Sequence, residues 1–126
     1  MAAAIGTCTT ITEESFNSVQ MVYWAWTGGS AETSIGNSTT TVYYTGKIIY
    51  AVLDPGANTK AGHDITVIDK NDNDVLAGAG IGMSAATVVN LLTGNLGAVC
   101  NSQLEIAVAD AGSAGTEVGE IWVYIR

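Results

Sequence analysis

Between Gly46 and Gly80 the sequence GKIIYAVLDPGANTKAGHDITVIDKNDNDVLAGAG reads as strands punctuated by turns, and this pattern constrains the fold more than any other part of the chain. Ile48 to Leu53 is a β-branched and aromatic run that stops at Asp54-Pro55-Gly56, where proline fixes φ and glycine supplies the turn. A new strand starts at Ile65 and ends in Lys70-Asn71-Asp72-Asn73, a hairpin tip of residues that tolerate left-handed backbone. Val75-Leu76 then resumes the apolar pattern. The stretch builds a scaffold and contains no recognisable catalytic motif.

The rest of the chain follows the same logic. Thr9 to Phe16 reads as a first strand or an edge, preceded by a small-residue arm, so residues 1–19 are set apart from a domain spanning 20–126. Gln20 to Thr27, QMVYWAWT, is apolar on both faces, which fits a central strand or one that meets a partner, and Gly28-Gly29-Ser30 breaks it. The signal is weak from Ala31 to Ser38, and Thr39 to Tyr44 has strong β propensity. Met83 to Leu92 is the one candidate helix, with Ser84 as its cap, although Thr87, Val88 and Val89 are β-branched and suit a strand equally. Gln103 to Ala109 alternates cleanly. In the closing strand, Glu117 to Arg126, Ile121, Val123 and Ile125 take one face and Glu120, Trp122, Tyr124 and Arg126 the other. About seven short strands without βα alternation predict an all-β fold, an antiparallel β-sandwich of Ig-like or jelly-roll type with at most one short helix.

Composition narrows the function classes. Charged residues make up 13% of the 126 residues, about half the usual fraction, so neutral polar residues must cover much of the exterior. Such a surface is easier to desolvate against a partner than one coated with lysine and glutamate. The net charge of −8, with only Lys47, Lys60, Lys70 and Arg126 as cations, argues against nucleic acid, which requires clustered bases. Val75 to Leu104 carries no charge but is interrupted by glycines and by Ser84, Thr87, Asn90 and Asn95, so no membrane span is expected; nor does the N-terminus read as a secretory signal. Cys8 and Cys100 allow at most one disulfide and are read as reduced thiols, each buried.

Each chemical motif has a plainer reading beside it. Gly80-Ile81-Gly82-Met83-Ser84-Ala85 matches a dinucleotide-binding turn, but too little chain follows to build a parallel sheet, and a glycine-rich bulge accounts for it. Asp69, Asn71, Asn73 and Asp74 resemble a calcium loop, but Asp74 and Gly80 stand where glycine and glutamate are needed. His63 has no nucleophile motif near it and reads as a loop residue. No cofactor, metal or catalytic residue is assigned. Trp24, Trp26, Trp122 and Tyr124 form the candidate interface, because Trp and Tyr anchor interfaces most often; core packing is their plainer role.

From Trp24 onward the order of features resembles the head decoration, or cement, proteins of tailed bacteriophages. The matching residues are Trp24-Ala25-Trp26-Thr27, Tyr44-Thr45-Gly46-Lys47-Ile48-Ile49, Asp54-Pro55-Gly56, His63-Asp64-Ile65-Thr66-Val67, Asp69, and Asp74 to Gly80. The close, Leu104 to Ala111 and Gly119 to Tyr124, is also similar. A tyrosine where His63 stands, a glycine at Asn73 and a proline before His63 would complete the pattern. The resemblance implies a non-enzymatic virion protein, made in the host cytoplasm, that binds the major capsid protein on the outer capsid surface and stabilises the lattice, with a trimer favoured. A second expectation is a host-surface or glycan-binding module that uses a shallow aromatic patch. A third is a hydrolase with His63 in a cleft beside an acid.

Overall fold

The computed structural model of the chain describes residues 5–28, 31–56, 59, 61–84, 87–92, 96–109 and 117–126. Among the described residues there are nine strands and no helix: β1 (Ile5–Phe16), β2 (Val19–Thr27), β3 (Ala31–Gly36), β4 (Tyr44–Pro55), β5 (Asp64–Ile68), β6 (Val89–Leu92), β7 (Ala98–Ser102), β8 (Glu105–Ala109) and β9 (Val118–Ile125). They join in one hydrogen-bonded path, β5-β8-β3-β1-β2-β9-β4-β6, with β7 paired to β4 beside it. Every pair is antiparallel except β1 with β3, which run parallel.

This ribbon curls into a β-sandwich because each strand has one apolar side to bury. Val22, Trp24 and Trp26 of β2, Ile121, Val123 and Ile125 of β9, and Ile48, Ala51 and Leu53 of β4 form one wall. Ile65 and Val67 of β5 and Ile106 and Val108 of β8 form the other, and all belong to one continuous core. Among the register shifts of the described strands, one bulge in β1 and one in β4 set the phase against β2 and β9. In β1, Thr9 is extra between Cys8, which faces Trp26, and Thr10, which faces Ala25. In β4, Ile49 is extra between Ile48, opposite Ile125, and Tyr50, opposite Tyr124.

Several expectations are revised. Of residues 1–19, set apart as an arm or edge strand, residues 1–4 lie outside the described residues, and from Ile5 onward β1 pairs with β2 over nearly all its length and with β3 at Ile5 and Thr7, with the single-neighbour character of an edge beyond Thr7. Ile11 also packs against the core. Of the two readings left open for Met83 to Leu92, the strand one holds at its end, where Val89–Leu92 form β6 against β4, as the β-branched residues allow; Ala85 and Ala86 lie outside the described residues. Thr39 to Tyr43 is loop, because its hydrogen-bonding groups are taken from outside any ladder: Thr40 N donates to Leu104 O, and Glu13 accepts Thr41 N and Val42 N, both at 3.0 Å. The hairpin tip at 70–73 is present, but after an isolated bridge of Asp74 to Ile68 the chain enters consecutive turns, and Val75-Leu76 does not continue as a strand. No helix among the described residues is long and apolar enough to cross a membrane.

Candidate functional site

The candidate interface residues divide between the two faces of the sheet. Trp24 and Trp26 are 0% and 2% exposed and belong to the core, so neither can meet a partner. The Trp24 indole N–H donates to Ser38 O at 2.7 Å, and Trp26 lies so close over Gly119 that any Cβ there would stand 2.5 Å from its ring. Trp122 and Tyr124 are half-buried on the opposite, outward face, as the alternation of β9 dictates.

Two tyrosines join them there. Tyr23 of β2 stands opposite Trp122, with ring centroids 4.9 Å apart and planes tilted by 41°. Tyr50 of β4 stands opposite Tyr124, at 5.7 Å and 45°. The four rings therefore run across three adjacent strands, a width of about 10 Å at the usual strand spacing. Met21, 9% exposed and outside the core cluster, lies opposite Tyr124 in the register. Tyr23 and Tyr50 were legible as strand residues but not as members of a face. The β4 bulge brings Tyr50 outward, and no period-two reading contains that extra residue.

The face is acidic at one end. Glu120 precedes Trp122 by two residues and so shares its side, with Asp54 of β4 directly opposite it. Tyr23 Oη donates to Glu120 Oε2. Burial, then this hydrogen bond and the charge of Glu120, push the Tyr23 phenol up to about 12. Thr12, Glu14, Met21, Tyr23, Glu120 and Trp122 border an open hollow of about 290 Å³.

The other sequence motifs resolve into scaffold. Asp69 Oδ1 accepts Asn71 N and Asn73 N, while Asp74 accepts Val67 N, Leu76 N and Gly78 N, so turn capping explains both aspartates. Gly80 accepts Ile65 N, and a Cβ there would lie 2.3 Å from Ile65 O; close approach to β5 accounts for the glycine. His63 lies outside the named strands, and it is 2% exposed and bridged to Met83. It borders a crevice with Asp54, Ser84 and Glu120 that is too narrow to admit water. Cys8 is buried but Cys100 is exposed, and both are free thiols.

No family model matches the chain, and no curated protein matches it. Among solved structures it is similar to a low-affinity xylan-binding module, CBM86, from the xylanolytic gut symbiont Roseburia intestinalis. The identity is 14% and the TM-score 0.40, over 96% of this chain and 88% of that one. A likeness at this distance carries no argument about what the present chain binds.

Proposed function

We propose that this chain is a non-enzymatic, glycan-binding β-sandwich module whose platform is the outward face of β2, β9 and β4. The observation that carries the reading is the row Tyr23, Trp122, Tyr124 and Tyr50, half-buried and facing away from the core. A sugar ring offers an apolar C–H face and a rim of hydroxyls. Aromatic rings held by their neighbours can stack on the former, and Glu14, Glu120 and Asp54 can accept hydrogen bonds from the latter. Shallowness suits a polysaccharide that crosses the face without being enclosed.

The capsid-surface protein implied by the phage resemblance would dock through the same rings, since they form a row of aromatics turned outward across three adjacent strands. A charge-poor exterior favours it as well. One experiment separates the two. The purified protein is run through gels containing a panel of plant, bacterial and chitinous polysaccharides, and co-sedimented with capsid shells lacking decoration. Retardation by a polysaccharide, abolished by Trp122→Ala with an unchanged circular dichroism spectrum, is the expected result. Sedimentation with shells and no retardation would overturn the glycan reading in favour of the virion one.

A further inference from the structure

We infer that the hollow beside Trp122 accepts a positively charged group, so that the glycan bound there carries free amines. This rests on the glycan reading and specifies its ligand. The hollow has an aromatic side, Tyr23 and Trp122, and two carboxylates, Glu14 and Glu120. No cation lines it.

The surroundings sharpen the charge imbalance. Asp54 faces Glu120 directly across the β4–β9 pair, and like charges in that position repel. Tyr23 occupies only one oxygen of Glu120 among the described hydrogen bonds, holding the carboxylate at the hollow while leaving Oε1 to a ligand. The described cations lie elsewhere. Lys47 and Arg126 are joined through their backbones at the far end of β4 and β9, and the Lys70 ammonium donates to Asn101 O at 3.2 Å on the 70–73 hairpin side. An ammonium in the hollow would meet ring faces and carboxylates at once, the two kinds of group that stabilise it. A carboxylated or sulfated sugar would meet repulsion instead. A neutral sugar would gain the stacking and hydrogen bonds from its hydroxyls, without the attraction of opposite charges.

The test compares glucosamine oligomers with N-acetylglucosamine oligomers of equal length, by calorimetry at low salt. The free-amine series should bind about tenfold tighter, with the ratio shrinking as salt rises and collapsing toward one in the E14Q/E120Q double variant. Equal affinities would overturn the inference and leave the glycan reading in place. Tetramethylammonium, followed through the Trp122 indole resonance, probes the hollow without any sugar. A saturable shift with no binding of either oligomer would keep the cation site and remove the glycan reading. No shift and no oligomer binding would overturn both. Melting temperatures of the wild type and the variant establish that each measurement is made on folded protein.

Discussion

Ionising Tyr23 would leave a phenolate partly out of water, place it against Glu120 and break the hydrogen bond between them, which is why the phenol is shifted upward from its ordinary value of about 10. The folded chain keeps this proton at a pH where the unfolded chain has lost it. The stabilisation is therefore complete below about pH 10 and disappears as pH rises through about 12. An ultraviolet titration of the phenols should contain a step near pH 12 that is missing in Tyr23→Phe; the same titration in both proteins would contradict the pairing. The two thiols make a second residue-level contrast. Cys8 Sγ donates to Thr10 O at 3.1 Å and its burial pushes the thiol up, whereas Cys100 is exposed. A thiol-specific chromogenic reagent should label one equivalent quickly and the other only after denaturation, and Cys100→Ser should remove the fast phase. Biphasic labelling that survives this substitution would mean that Cys8 is accessible.

Among the elements, the turns after β5 depend on one side chain. Asp74 gathers Val67 N at 3.2 Å, Leu76 N at 3.0 Å and Gly78 N at 2.9 Å, tying the consecutive turns to the strand. Asp74→Ala should destabilise the protein by about 2 kcal/mol, the usual size for loss of hydrogen bonds to a charged group, and accelerate amide exchange at Leu76 and Gly78 ahead of β9. Uniform acceleration through the whole sandwich would argue that these turns are no separate unit. The turn residues of this region were readable because Asp, Asn and Gly have local physics of their own. Strand β9 was readable too, since Glu120 and Arg126 mark its outward side. In β2 both faces are apolar, so alternation could pair Trp24 with Trp26 but not decide which side went inward. The loop from Thr39 to Tyr43 was misread for a different reason. Its β propensity is overridden by Glu13, thirty residues upstream, whose carboxylate holds Thr41 N, Val42 N and the Tyr44 hydroxyl.

At the level of the whole molecule, one core and one aromatic face are built from the same three strands, β2, β9 and β4, back to back. Inner residues such as Trp26 and Ile121 lie in the core, while Tyr23, Trp122 and Tyr124 need only a strand of the right parity beneath them. The parity of β4 hinges on the extra residue, Ile49. It acts as a dislocation in a two-beat rhythm: Ile48 falls on the inward beat before it, and Tyr50 on the outward beat after it. Deleting Ile49 therefore leaves the composition almost untouched but makes the two halves of the strand compete for one phase. Either Ile48 is expelled from the core or Tyr50 is drawn off the face. The deletion should lower the unfolding midpoint far more than Ile49→Ala, and any folded population should lose the Tyr50–Tyr124 contact, read as changed ring resonances of Tyr124. Equal effects of the two changes would mean that the strand re-registers freely. Surface and interior are thus timed by a single residue, and a change in chain length at that point acts on both together.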